Sequence, residues 1–221
     1  MFHVKLSADL IAKLIGEEAV DVTALSAAEQ YCDLIAEANR KINLVSRAGD
    51  VATEIARQFA LSVAVIPKLP DTGPLHWLDI GSGGGFPAIP IAIFRPRDSF
   101  DLIESVAKKA FFLERASERL GLVNLRVINQ RAEEFLRKPI SDTSRYNILS
   151  LKAVAGWKEA FAWANSALAP GGTLITFKPP ESDPGELQAV PKQSFELIET
   201  FCITGLVPGV TTRIMMFRKP A

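Results

Sequence analysis

The sequence is poor in the residues that build redox and metal centres, with two cysteines and two histidines among 221 residues. Cys32 and Cys202 stand far apart without metal-ligand or redox spacing, so the expectation is two reduced, buried thiols and no metal site. His3 lies near the start of the chain and His76 beside an apolar run, positions that suit structural roles better than acid–base chemistry. No stretch approaches the roughly 20 unbroken apolar residues of a membrane span, and the opening MFHVKLSADLIAKL carries no cleavage-like site. The expectation is a cytoplasmic protein without membrane contact. An excess of one charge is missing too: Lys plus Arg and Asp plus Glu number 25 each. That balance excludes a protein that coats nucleic acid through net charge, and leaves room only for a local basic patch. There is no internal repeat and no low-complexity tract.

What the chain does have is apolar residues, 48% of the total, enough for one large domain with a sizeable core, expected to be monomeric. Its organising stretch runs from Leu75 to Ala92, LHWLDIGSGGGFPAIPIA. Leu75, Trp77, Leu78 and Ile80 form a short apolar run, Gly81, Gly83, Gly84 and Gly85 crowd together, and a second apolar run follows. The pattern predicts strand, tight turn, helix, where backbone N–H groups can approach a ligand at a helix start. A glycine-rich surface turn is the competing reading. A dinucleotide site needs G-x-G-x-x-G/A, but Phe86 stands where its last small residue belongs. Asp79, two residues before the first glycine, would repel a pyrophosphate and suits a ligand carrying an ammonium and a sulfonium.

The preceding residues 7–67 read as helical. Ser26 and Glu29 have the form of a capping box, followed by an apolar stripe through Tyr31, Leu34, Ile35, Ala38 and Ile42 that ends near Asn43. A second pattern through Val51, Ile55, Phe59, Val63 and Ile66 stops at Pro67, and PKLPDTGP reads as a linker. Beyond the glycine turn, Phe100–Ile103 is predicted as a strand closing on Glu104, an acid placed to accept from ribose hydroxyls, with Asp101 as the nearby competitor. A helix over Ser105–Leu120 stops at Gly121. Strands follow at Leu125–Ile128, Ile148–Leu151 with Lys152, and Thr173–Phe177 with Lys178, the last after a Pro170-Gly171-Gly172 turn. Asn129 to Glu134 reads as a turn and Trp157–Leu168 as a helix. Phe195–Ile203 and Thr211–Lys219 read as a closing hairpin around Gly205–Gly209. The tail 179–185 reads as loop and 186–193 is ambiguous. Alternating strands and helices imply a parallel sheet with right-handed crossovers.

With these positions placed, the chain resembles the class I S-adenosylmethionine-dependent methyltransferases. More closely, it resembles the ribosomal RNA small-subunit methyltransferase G (glucose-inhibited division protein B) family. The matching residues are Asp79-Ile-Gly-Ser-Gly-Gly-Gly-Phe-Pro-Ala-Ile-Pro, Leu102-Ile-Glu-Ser-Val-Ala-Lys-Lys with Phe112-Leu113, Leu120-Gly-Leu-Val-Asn, Arg131-Ala-Glu-Glu and Asn39-Arg-Lys-Ile-Asn-Leu. The resemblance implies an α/β, Rossmann-like fold with a seven-stranded, mainly parallel sheet. Residues 1–70 would form a helical extension packed on a methyltransferase domain of residues 71–221. It implies S-adenosylmethionine as cofactor, with Gly81, Gly83 and Phe86 around the methionine portion, Glu104 on the ribose, Ala132 and Glu133 framing the adenine, and Asp79 and Lys152 as electrostatic partners. The implied partner is small-subunit ribosomal RNA or the assembling 30S subunit, and the implied reaction is methylation of a guanine N7. Arg40, Lys41, Lys108, Lys109, Lys178 and Arg213 are the RNA-binding candidates.

That chemistry demands no general base, since N7 attacks with a lone pair that carries no proton, and no catalytic acid–base pair is expected beyond proximity and alignment. An Asn/Asp-Pro-Pro-aromatic tetrad for amino methylation is missing after the fourth strand; Lys178-Pro179-Pro180-Glu181 reads as a turn. A cysteine nucleophile on a loop is missing as well. The resembled family carries Arg-His and then Asp-Ser where this chain has Arg57-Gln58 and Leu61-Ser62, and Arg-Ala where it has Lys152-Ala153. These departures keep two alternatives open: a related methyltransferase acting on a small molecule or protein, and a cofactor-binding protein without turnover.

Overall fold

The computed structural model describes residues 6, 8–70, 73–152, 156–178, 194–207 and 210–221. Three helices come first, α1 (Ala8–Ile15), α2 (Val22–Ala38) and α3 (Val51–Val63). The sheet then begins with β1 (His76–Ile80), α4 (Ala88–Phe94), β2 (Ser99–Ile103), α5 (Ala107–Leu120), β3 (Leu125–Ile128), α6 (Ala132–Arg137) and β4 (Tyr146–Lys152). It ends with α7 (Trp157–Ala167), β5 (Leu168–Lys178), β6 (Glu196–Val207) and β7 (Val210–Arg218). The seven strands lie in the order β3-β2-β1-β4-β5-β7-β6. Neighbours from β3 to β5 are parallel, while β7 runs antiparallel between β5 and β6. The chain leaves β1 toward β2 on one side and returns to β4 on the other, so the carboxyl ends of β1 and β4 flank the crevice where the winding reverses.

Strands buried on both faces read as continuous apolar runs, and alternation sorts their side chains into two cores. Trp77, Phe100, Ile148, Ile175 and Phe177 face one cluster, which also contains Tyr31, Ile35, Ile55 and Phe59 of α2 and α3. Leu78, Ile103, Leu149 and Leu174 face the other, against Trp157 and Phe161 of α7. The N-terminal helices thus cover one face of the sheet. Asp79, Ser150 and Lys152 alternate with the second set and belong to the face under these helices.

Several local expectations are corrected. The Ser26–Glu29 capping box does not form, because α2 starts earlier: the Asp21 carboxylate accepts from Ala24 N–H at 2.7 Å and supplies the cap, leaving Ser26 inside the helix. The helix also stops earlier, at Ala38, because the Asn39 side chain turns back to accept from Leu44 and Val45 N–H at 2.8 and 3.1 Å. Helix α3 ends at Val63 and Pro67 sits inside a separate 3-10 turn, Ile66–Lys68, where its missing N–H costs little. Pro170-Gly171-Gly172 is a bulge within β5 rather than a turn before it: Tyr146 pairs with Leu168 and Ile148 with Thr173, so the extra residues loop out of register. The segment expected as a turn through Glu134 becomes helical from Ala132. Cys32 is buried but Cys202 is exposed, since β6 is an edge strand and its alternate side chains have no covering layer. The Pro179–Glu181 turn, the ambiguous 186–193 segment, His3, Ala153 and the hairpin tip at Pro208-Gly209 lie outside the described residues. Among the described residues no helix is long and apolar enough to cross a membrane, and no group of three metal-ligating side chains occurs.

Candidate functional site

After Ile80 the backbone turns out of the sheet. Gly81 and Ser82 N–H both donate to the Ile103 carbonyl, at 2.8 and 3.1 Å, and Gly85 N–H donates to the Ser82 carbonyl at 2.6 Å. Gly85 is irreplaceable on two counts, a φ of +99° and a position where a Cβ would stand 2.7 Å from Ile89 Cδ1 and 2.9 Å from the Tyr31 hydroxyl. Tyr31 donates to the Gly84 carbonyl at 2.7 Å and its ring lies 5.3 Å from that of Phe86, so α2 buttresses the loop from behind.

Glu104, just past β2, is 5% exposed and clamps this loop from the front. Its carboxylate accepts from Gly83 N–H at 2.8 Å and from Val106 N–H at 2.7 Å, joining the glycine loop to the start of α5. Asp101, the competing acid, is committed elsewhere. It accepts from Arg126 at 2.8 and 2.6 Å and from the Tyr146 hydroxyl at 2.7 Å, with His76 Nε2 at 3.6 Å. Burial alone would raise its pKa, but the nearby His76 and the bonds from Arg126 and Tyr146 win and hold the carboxyl well below the usual range. A depressed acid stabilises the fold fully above its unfolded pKa of roughly 3.9 and loses that contribution as pH falls toward the folded value. Asp101→Asn is therefore expected to cost about 1.5–3 kcal/mol at neutral pH. In urea unfolding the gap to wild type should narrow below about pH 4; a gap independent of pH would contradict the pairing.

The loop and the strand ends enclose a two-lobed cleft. One lobe, about 420 Å³, is lined by Gly81, Ser82, Gly83, Gly84, Phe86, Glu104, Ser105, Lys109, Lys152 and Leu44. The other, about 180 Å³, is lined by Gly81, Ser105, Gln130, Ala132, Glu133 and Trp163, among others. Gly81 and Ser105 belong to both, so an elongated ligand could run from one lobe to the other. The sequence-selected Gly81, Gly83, Phe86, Glu104 and Lys152 share the first lobe, and Ala132 and Glu133 share the second.

Asp79 lies below this cleft, 2% exposed. In the sheet register it stands opposite Ser150, whose hydroxyl donates to Asp79 Oδ1 at 2.5 Å, while Oδ2 is buried without a hydrogen-bond partner. Burial pushes its pKa up to about 6 against the opposing pull of Ser150, Ser82 and Lys152. Lys152, at the end of β4, donates to Gln58 Oε1 of α3 and sits 4.9 Å above the Phe86 ring. Loss of solvent lowers the pKa of its ammonium to about 7, with Asp79 pulling the other way. Gln58 Nε2 donates to Glu54 at 2.6 Å, and Glu54 also holds Arg57 at 2.7 Å, which reaches Thr212 of β7 at 3.1 Å.

The RNA-binding candidates border different depressions of the surface. Lys109 lines the first lobe and Lys108 precedes it, exposed, on α5. Arg40 lines a separate cavity with Arg47 and Asp50 between α2 and α3; Lys41 lines another with Arg115 and Arg119 of α5. Lys178 lies 4.7 Å over the Trp157 ring and pairs across the sheet with Arg213. Site residues that sequence reasoning missed are Ser150, Trp163 and the working role of Gln58. Ser150 left a trace, a polar residue inside the apolar Ile148–Leu151 run. Trp163 left none, because only the packing of α7 against α6 brings it to the cleft.

A family model described as rRNA small subunit methyltransferase G matches residues 24–199. Among curated relatives, the ribosomal RNA small subunit methyltransferase G of Solibacter usitatus is 36% identical over 159 residues, covering 72% of each chain. That of Carboxydothermus hydrogenoformans is 35% identical over 170 residues, covering 76% of this chain and 70% of the relative. Among solved structures, a ribosomal protein L11 methylase from Lactobacillus delbrueckii subsp. bulgaricus superposes with a TM-score of 0.59 at 14% identity, covering 75% of this chain and 80% of that one. At such identity the likeness concerns the fold alone.

Proposed function

Because the chain belongs to the rRNA small subunit methyltransferase G family, we propose that it transfers a methyl group from S-adenosylmethionine to N7 of a guanine in small-subunit ribosomal RNA. The observation that carries the reading is the two-lobed cleft built on the glycine loop and Glu104. Its first lobe offers Gly81 and Gly83 for close approach by the methionine portion. Glu104, both of whose oxygens already accept backbone N–H groups, keeps further lone pairs for ribose hydroxyls. Ala132 and Glu133 border the second lobe, the size and position suited to a base. The unpartnered Oδ2 of Asp79 supports a cationic ligand nearby, since a buried carboxylate oxygen without a donor is costly and a positive group in the lobe would offset it.

When bound, the cofactor supplies an electrophilic methyl on a positively charged sulfur. The residues of the chain need only align, hold and shield. Gly81, Gly83, Phe86 and Glu104 would hold the cofactor so that N7 of the acceptor could take the methyl in line, with the S–C bonding pair left on sulfur and the positive charge passed to the base. No proton is released, which agrees with a cleft in which Glu104 serves as a hydrogen-bond acceptor and whose described lining holds no histidine. Orientation within the lobes can supply several kcal/mol of the barrier by removing rotational and translational freedom. Because the chain has no net charge, RNA shape and ribosomal protein context would have to supply much of the selectivity.

The test is incubation of the protein with methyl-labelled S-adenosylmethionine and small subunits from a strain lacking the homologous enzyme. Naked RNA and a cell metabolite extract run in parallel. Borohydride reduction and aniline scission should cut the labelled RNA at a single guanine. Label confined to metabolites or protein would replace this reading with a redirected methyltransferase, and tight S-adenosylhomocysteine binding without any label would leave a binding protein without turnover.

A further inference from the structure

Lys152, a cation of the first lobe, is held within the fold from three sides. Gln58 Oε1 on α3 takes one of its N–H bonds, the Phe86 face lies 4.9 Å from Nζ, and β4 supplies its backbone at the mouth of the crevice. Gln58 cannot turn away, because its Nε2 is bound to Glu54, which is itself paired with Arg57. An ammonium has three donors, so at least one remains for a molecule in the lobe that Lys152 lines. A second fixed cation is a poor neighbour for a sulfonium but a good one for a carbonyl oxygen.

We propose that Lys152, positioned by Gln58, reads O6 of the acceptor guanine. This inference rests on the proposed methylation of guanine N7. On the Hoogsteen edge of guanine, O6 and N7 are adjacent acceptors, and N7 must keep its lone pair free for the methyl. A single-point donor can hold O6 and leave N7 uncovered. Adenine presents an amino group there, and a lysine ammonium facing that donor would be left unpaired, so the same contact selects against it.

The surrounding charges fit this role. Among the described residues, Glu54 and Arg57 of α3, Asp79 of β1, Glu104 after β2 and Lys109 of α5 are ionisable groups around the lobe. The carboxylates of Asp79 and Glu54 favour the charged ammonium, and burial opposes it.

The test replaces the acceptor guanosine, by ligation into ribosomal RNA and assembly into small subunits, with 2-aminopurine riboside, which keeps N7 and the 2-amino group but lacks O6. For wild type, kcat/KM is expected to fall about 10–100-fold on this replacement, the range of a hydrogen bond to a charged group. Lys152→Met should lose a similar factor on guanine and discriminate between the two bases by less than about 3-fold. Gln58→Leu, which frees the ammonium, should lie between them. The ratio of rates on two bases is internal to each variant, so a partly unfolded preparation cannot mimic the result. Equilibrium binding of the two RNAs to the S-adenosylhomocysteine-bound protein gives the same comparison without turnover. If Lys152→Met discriminates as wild type does, or loses activity equally on both bases, the assignment of Lys152 is wrong while the guanine-N7 reading stands. If wild type labels neither RNA, both fail.

Discussion

Gly83→Arg is expected to abolish S-adenosylhomocysteine binding, raising Kd by at least about 100-fold, the scale set by losing several ligand contacts at once. Gly83 has a φ of +56°, and a Cβ built there meets nothing nearer than the Gly81 carbonyl at 3.8 Å. That freedom exists because the position faces the open first lobe, so a long side chain would grow into the space proposed for the methionine portion. A guanidinium there would also repel an ammonium. The backbone strain of a non-glycine residue at positive φ adds roughly 1–2 kcal/mol. Gly83→Ala carries the strain without the bulk and serves as the control: it should fold, melt slightly lower and bind within about 10-fold of wild type. Calorimetric titration in which the arginine variant binds within a few-fold of wild type would mean that the ligand does not occupy this lobe.

Glu104→Ala should damage both affinity and stability. The substitution strands the N–H groups of Gly83 and Val106, which now donate to the carboxylate at 2.8 and 2.7 Å, and removes the acceptor proposed for the ribose hydroxyls. Hydrogen bonds to charged groups contribute about 1.5–3 kcal/mol each, although water entering from the cleft would recover part of the loss. A net cost of about 3 kcal/mol corresponds to a fall in Tm of roughly 6–12 °C for a chain of this size, and the ligand affinity should fall by at least about 100-fold. Glu104→Gln separates the two effects. It keeps one oxygen for the loop but turns an amide donor toward the other N–H, so it should recover part of the stability and little of the affinity. Scanning calorimetry with and without S-adenosylhomocysteine measures both. Unchanged affinity in the alanine variant would remove Glu104 from the ligand site, whatever happened to Tm.

Strand β3 spans Leu125–Ile128 as its apolar run predicts, and Gly121 closes α5 with a φ of +65°, the left-handed conformation that a helix C-terminus favours. These features depend on neighbours within one turn or one pleat. The start of α2 is set by Asp21 rather than Ser26, both acceptable caps by type, and the packing of buried Ala24 and Ala28 against the core is consistent with the earlier start. Glu104 and Asp101 were likewise indistinguishable in kind. Only the third strand, which brings Arg126 beside Asp101, and the fourth, which brings Tyr146, took one acid out of contention.

Periodicity and glycine spacing, which are local, were by themselves enough to determine the alternation of strands and helices, the turn after β1 and the placing of Gly81, Gly83 and Glu104 together, while the motif residues from Asp79 to Pro90, Leu102 to Lys109 and Arg131 to Glu134 carried the resemblance to a methyltransferase family. The tertiary structure alone decided the electrical state of the site and the partners of its charges. Asp79 and Lys152 are ordinary surface-type residues by composition; α3 covers their face of the sheet and makes one a carboxylate with an unpartnered oxygen and the other an enclosed ammonium. Gln58 and Lys152 stand 94 positions apart and meet only because that helix crosses the end of β4. Arg40 and Lys41, neighbours in sequence, line different cavities for the same reason. Backbone conformation is set by neighbours in the chain, whereas desolvation and charge pairing act through space and scale with burial, which no short stretch of sequence contains.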